Sequence, residues 1–247
     1  MSLNGIAASA ISALKTNSAA LGVVANNVSN LNTAGYARRI VNQQTLSAAG
    51  QLVGVDIASV QRVASQFLTQ EMLSAGGAAS QYDTMADLFS QLNGLLGGPG
   101  DNQSLATGLT NLSAAFAAAS QNPTSSASRT GVMNALNNLA SGFSTVSSTI
   151  SALRKQVDQQ VVNSIGGANT LIKQIFDLNT QIKTASAAGD TASGLLDQRD
   201  VALESLSKVM SIRAVTNTDG SVSVSTTDGM NLVSNTYAKL AYSGGEQ

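Results

Sequence analysis

The chain has no cysteine, no histidine and no tryptophan in 247 residues. Without cysteine there is no disulfide framework and no thiolate metal site. Without histidine the Ser-His-Asp and Cys-His arrangements cannot be built, the common zinc and iron sites lose their ligands, and the usual proton shuttle near pH 7 is missing. Carboxylate-only or Ser-Lys chemistry is what these absences leave open. Charge is scarce too: Asp, Glu, Lys and Arg make up 11% of the chain, against about 25% in an average protein, and the formal net charge is −1. Electrostatic capture of nucleic acid or of an anionic membrane therefore has no basis. No run of about 18 apolar residues occurs, which excludes a transmembrane helix. Met1 to Leu14 shows no positive segment ahead of an apolar one, so no cleaved secretory signal is expected. The residues alone place the protein in the cytoplasm, or on an export route that reads no cleaved signal.

The 43% hydrophobic content is enough for a core, but aromatics are only 4% and the apolar residues are mostly Ala, Leu and Val. Thin interhelical layers follow, and with them a mainly α fold: an elongated helical bundle of long, coiled-coil-like helices. Exposed positions fall to Ser, Thr, Asn, Gln and Gly, a surface suited to close packing with copies of itself.

The clearest pattern is at the start. Leu3, Ala7, Ala10, Leu14, Asn17, Leu21, Val24, Val28 and Leu31 follow one another at alternating spacings of four and three, a heptad seam that is stable only against another helix. Nothing for some distance after it offers an obvious partner, so these nine positions are expected to form an assembly interface. Asn17 has two readings: a register-fixing polar residue at a core position, or a point where the helix drifts and the side chain meets solvent. The seam runs into an Asn-rich segment ending Asn32-Thr33-Ala34-Gly35-Tyr36, which reads as a helix stop and a turn.

Tyr36 to Leu46 and Gln51 to Val60 look extended, with a break at 48–50. Helical spacing returns from about Val60 to Leu96 and ends at Gly97-Gly98-Pro99-Gly100; this glycine run lacks the lysine of a phosphate-binding loop and is a turn. A helix with Leu105, Leu109, Leu112 and Phe116 on one stripe follows, capped from within 101–104. Asn122-Pro123 then reads as the start of the longest helix, whose stripe runs unbroken from Val132 to Val161 and resumes at Leu171, Ile175, Leu178 and Ile182 after an interruption or kink at Gly166-Gly167. A helix over Leu195–Met210 comes next. Beyond Ser211 the period changes to two, and Asp219-Gly220 and Asp228-Gly229 mark β-turns. The expected divisions are 1–60, an axial helix with turn and extended linker; 61–210, a helical bundle; and 211–247, the start of a small β domain.

Asp197, Arg199, Asp200 and Glu204 are the densest charge cluster. Exposed pairs or bonds to nearby backbone are the expectation here, rather than acid-base catalysis. Arg38-Arg39, with Lys15 and Arg62, is too thin for nucleic acid and is expected to meet a neighbouring subunit. No catalytic residue, metal site or cofactor is predicted.

The segment AALGVVANNVSNLNTAGYARR, Ala19 to Arg39, closely resembles the N-terminal signature of the flagellar rod, hook and hook-associated proteins. GVDIASVQRVASQFLTQEM (Gly54 to Met72), NPTSSASRTGVMNALNNLASGF (Asn122 to Phe143) and LLDQRD (Leu195 to Asp200) are similar to the hook-associated members at the hook-filament junction. This resemblance implies a non-enzymatic structural subunit of an extracellular tube, exported by the flagellar type III pathway. It implies a homo-oligomeric ring, the hook protein and the next junction protein as partners, and an export chaperone acting through the C-terminal region. Asn27, Asn30, Asn32, Thr33, Gly35 and Tyr36 carry over as the signature turn, and Asp197, Arg199 and Asp200 as a structural signature of the helical domain. Family members return to a closing C-terminal helix, whereas this sequence ends at Gln247, so it reads as a fragment. The seam is then left disordered, paired with another copy or docked elsewhere. The runners-up are a hook or distal-rod subunit and, in another class, a carboxylate-dependent cell-wall hydrolase.

Overall fold

The computed structural model describes residues 3–48, 51–97 and 104–244. The break expected at 48–50, the glycine run after Gly97 and most of the 101–104 cap lie largely outside that range. The fold is mainly α, and the described residues form five helices and two small antiparallel sheets: α1 (Leu3–Ser29), β1 (Arg39–Ala48), β2 (Gln51–Arg62), α2 (Gln66–Leu96), α3 (Leu105–Gln121), α4 (Ser126–Ala187), α5 (Ser193–Val209), β3 (Ile212–Thr216), β4 (Val222–Thr226) and β5 (Asn231–Val233). Strands β1 and β2 pair from Arg39↔Arg62 to Ala48↔Gln51, and that pairing holds residues up to Arg62 extended, so α2 starts six residues later than the expected Val60. The other sheet has the order β3-β4-β5.

Two further features of α4 differ from expectation for local reasons. Asn122 closes α3, its N–H donating to Ala118 O at 3.3 Å, and α4 is opened instead by Ser125, whose Oγ accepts from Ser128 N at 3.3 Å. Gly166-Gly167 does not interrupt α4, which is helical over all 62 of its residues. The pair costs about 1 kcal/mol per glycine relative to alanine, and the helix on either side carries it.

Compactness does not divide the chain at 60 and 210. One unit takes residues 1–79 with 166–240, and the other 80–165 with 241–247. In the second unit Ser104 caps α3 by accepting from Thr107 N at 3.1 Å, a bond worth about 1 kcal/mol. Its helices meet leucine on glycine: a Cβ on Gly108 would lie 3.1 Å from Leu139 Cδ1, and one on Gly142 3.2 Å from Leu105 Cδ2. Among its described residues only Ser104 is buried, which is what slender Ala-rich layers produce.

The first unit holds the apolar core. Leu73 of α2, Ala168, Ile172 and Ile175 of α4, Ala202, Leu203 and Leu206 of α5, and Ile212, Val222, Val224, Leu232 and Val233 of the β3-β4-β5 sheet form one cluster. These strands are thus not a marginal hairpin standing at the edge of a separate β domain. Their apolar face is the floor on which α4 and α5 lie.

Both β-turns of this sheet carry the expected glycine in the left-handed region, Gly220 at φ 80° and Gly229 at φ 90°. At the first, Asp219 accepts from Ser221 Oγ at 2.6 Å and Ser221 N at 3.0 Å and pairs with Lys183 at 2.9 Å. The Ser221 hydroxyl first, then Lys183, pull its carboxyl down to about 2. A depressed folded-state value means that this contribution to stability is present above the ordinary carboxylate range of about 3.9 and is lost as pH falls toward 2. An NMR titration is expected to give Asp219 a midpoint near 2, and Ser221→Ala is expected to raise it. A midpoint near 4 in the unaltered chain would remove this account of the turn.

Candidate functional site

Helix α1 carries two stripes. The nine seam positions all face outward: Leu14 is 71% exposed, Leu21 69% and Leu31 79%, and Asn17 stands exposed in line with them. The covered positions are Gly5, Ser9, Ser12, Ala13, Thr16, Ala20, Val23, Asn27 and Asn30. They repeat with nearly the same spacing but sit about two residues on, roughly 200° around a helix of 3.6 residues per turn. The helix therefore lays a small, polar stripe on the chain and turns an apolar one away from it.

The β1-β2 hairpin lies nearby in sequence and packs on α1, but it meets the covered stripe and not the seam. Thr16, 4% exposed, donates its hydroxyl to Val55 O at 3.0 Å, and Ser12 Oγ accepts from Val55 N at 3.1 Å. One helical turn separates these two hydroxyls, so they satisfy both backbone groups of a single strand residue and cover part of an otherwise open edge. Gly54 allows the approach: a Cβ there would come within 2.3 Å of Ser12 Oγ.

The turn after α1 is built on Asn27. Its Oδ1 accepts from Tyr36 Oη at 2.9 Å and from Arg39 N at 2.9 Å, while its Nδ2 donates to Arg39 O at 2.8 Å. Thr33 Oγ1 donates to Asn30 Oδ1 at 3.2 Å, and Asn30 Nδ2 to Asn26 O at 2.9 Å; Asn32 is exposed. Gly35, at φ 76°, lies so close to α5 that a Cβ would fall 2.2 Å from Val201 Cγ2. Five of the six signature residues thus fix this turn or seat it on α5.

The charge cluster is where the structure departs most from expectation. Asp197 pairs with Arg39 at 3.1 Å and with Arg62 Nε at 2.7 Å, and Asp200 binds the other arm of the Arg62 fork. The side chains of Arg62, Asp197 and Asp200 are each less than a fifth exposed, so these are partly buried bridges and not the exposed pairs predicted. Arg39 and Arg62 are engaged within the chain rather than held for a neighbour. The Arg39 guanidinium also lies over the Tyr36 ring, 5.1 Å from its centre. Burial lowers the affinity of Arg62 for its proton, but its bonds to Asp200 and then Asp197 outweigh that and leave its pKa raised.

Arg199 points the other way, into the core. It donates to Asn179 Oδ1 at 3.2 Å and to Gly220 O at 2.7 Å, and burial holds its pKa below the ordinary value, countered only in part by Asp200. Glu204 pairs with Lys208 at 2.8 Å and takes no part in the cluster. Both aspartates are committed to arginines, which leaves neither as a free acid or base. Among the described residues no group of acidic or other ligating side chains is placed to hold a metal ion, and no helix is long and apolar enough to cross a membrane.

Residues 89–245 match the family model described as the flagellar hook-associated protein FlgK helical domain, and residues 8–36 match that of the flagella basal body rod protein. The chain is 30% identical to flagellar hook-associated protein 1 of Salmonella typhimurium over 237 residues, covering 93% of this chain and 42% of that protein. It is 28% identical to the protein of that name from Bacillus subtilis, covering 88% of this chain and 45% of the relative. The chain thus spans less than half the length of the curated relatives it matches. Among solved structures, the flagellar hook junction protein FlgK from Burkholderia pseudomallei superposes with a TM-score of 0.58 at 30% identity, over 69% of this chain and 29% of that one.

Proposed function

Because this chain belongs to the family of the flagellar hook-associated protein FlgK, we propose that it is a structural subunit of the bacterial flagellum that joins hook to filament by self-assembly. Its work is packing, not catalysis. Subunits of a homo-oligomeric ring meet the hook protein on one side and the next junction protein on the other, outside the cell, after export without a cleaved signal. A chaperone for that export would act through the C-terminal region of the protein.

The observation that carries the reading is the exposed seam of α1. A helix clamped by hydroxyls and asparagines on one side, with a heptad seam on the other that is apolar at every position but Asn17, presents a surface that only another helix covers well. Placing a carboxylate in such a seam removes apolar contact and leaves a charge to be desolvated on assembly.

The test is Leu14→Asp with Leu21→Asp in the gene of the bacterium that encodes the chain. Both side chains are mostly exposed, so the fold is expected to survive, as checked by an unchanged circular dichroism spectrum. The expected result is loss of swimming in soft agar, with hooks still present and filaments absent by electron microscopy. Loss of the hooks as well would favour a hook or distal-rod subunit. Normal swimming would remove the seam from the mechanism.

A further inference from the structure

The apolar core cluster begins at Leu73; among the described residues none from 3 to 62 belongs to it. Helix α1 and the β1-β2 hairpin pack on each other, yet their attachment to the rest of the first unit is of another kind. Among the described residues its hydrogen bonds and ion pairs are the Arg39 and Arg62 bridges to Asp197 and Asp200 and the Ala37 N–H donating to Asp197 Oδ1 at 3.4 Å, beside the seat of Gly35 on Val201. The bridges are flanked by open space on two sides. One groove of about 400 Å³ is bounded by Arg39, Val60 and residues 190–195, and another of about 410 Å³ by Arg62, Leu73, Arg199 and Val215. Within the cluster Arg39 Nε is buried without a partner, so the fit is incomplete even where the charges meet.

We propose that α1 and the hairpin form one arm, and that the charges of Arg39, Arg62, Asp197 and Asp200 are a latch that sets its angle on the core. Opening the latch lets the arm swing about residues 63–65 while arm and core each stay folded. Two physical points support a joint over a fused interface. Apolar burial, the term that makes interfaces permanent, is concentrated elsewhere in this unit, and ion pairs are directional contacts that an alternative arrangement can replace with water. The arm carries the exposed seam, so the latch governs the direction in which that seam is offered. This is a property of the isolated chain and holds whatever the chain assembles with.

The absence of cysteine makes the test direct, because any pair of introduced thiols can be spin-labelled without background. Labels at Ser18→Cys and Gln174→Cys span arm and core, and both positions are exposed. Ser18→Cys with Gln44→Cys reports the arm alone, and Gln174→Cys with Asp228→Cys the core alone. With Arg62→Ala and Asp197→Ala together, the arm-to-core distance distribution is expected to at least double in width while both control pairs keep theirs. Arg62→Lys, which keeps the charge but not the fork that reaches two carboxylates, is expected to fall between. An arm-to-core width that does not change in the double variant overturns the proposal. So does broadening of either control pair, since the charges would then be holding a fold rather than a joint.

Discussion

Truncating Leu206 to alanine is expected to lower the free energy of opening of the α4, α5 and β3-β4-β5 core by about 4 kcal/mol. Leu206 is fully buried and belongs to the same cluster as Ile172 and Ile175 on α4 and Val224 and Val233 in the sheet. Deleting it removes contacts to two helices and a sheet at once, and close-packed neighbours on three sides collapse only partly into the space. Amide hydrogen exchange is the appropriate measurement, because a chain with two compact units need not unfold in a single step. Amides of 202–206 and Val224 should exchange roughly a thousandfold faster, all by the same factor. If β4 kept its protection while α5 lost it, the sheet would be a separate domain after all, as the change of period at Ser211 suggested.

That change of period was legible and its consequence was not. Alternation of Ile212, Ala214, Val222 and Val224 identifies strands, but nothing in it says which helix their apolar face meets. The same holds at the other end of the chain. The seam from Leu3 to Leu31 could be read because apolar residues spaced alternately by four and three line up on one side of a helix and scatter over both faces of a strand. The opposite stripe of Ser12, Thr16 and Asn27 could not, because hydroxyls and amides are equally at home in solvent. Their value appears only when the Val55 backbone and the Arg39 backbone are brought to them.

The bridges between the hairpin and α5 join residues more than 130 positions apart. Arg38-Arg39 and the Asp197–Asp200 run each look, in isolation, like a solvated charge patch. One signal was available: in a chain with only 13 basic and 14 acidic residues, two such clusters are natural candidates to be each other's partners. The early cap at Asn122-Pro123 failed for the opposite reason. Asn at a cap position and Pro in a first turn agree with a helix start, but Ser125 lies three residues on and offers the same bond.

Asn179 shows what an apolar stripe can conceal, and its removal carries the other large expected effect. The stripe read from the sequence passes through Leu171, Ile175, Leu178 and Ile182, of which the last three are buried and Leu171 half-buried, but the buried face of α4 also takes in Ala168, Ile172 and Asn179, which puts an asparagine at a core position. Its Nδ2 donates to Val222 O at 2.7 Å, and its Oδ1 accepts from Val222 N at 2.9 Å and from Arg199 at 3.2 Å. Alanine at 179 strands a buried strand N–H and C=O and takes one of two acceptors from a buried guanidinium whose Nε already lacks one. At about 2 kcal/mol for each stranded backbone group, Asn179→Ala is expected to cost about 4 kcal/mol, read as faster exchange of the Val222 and Val224 amides. Asn179→Asp keeps both acceptor bonds and gives Arg199 an anionic partner, but it turns an acceptor oxygen toward Val222 O where the amide donated, so the two must move apart; it is expected to cost less than alanine because the pairing with Arg199 outweighs that repulsion. The order of the two variants decides the matter. If aspartate proved worse than alanine, the repulsion at Val222 O would outweigh whatever Arg199 draws from position 179.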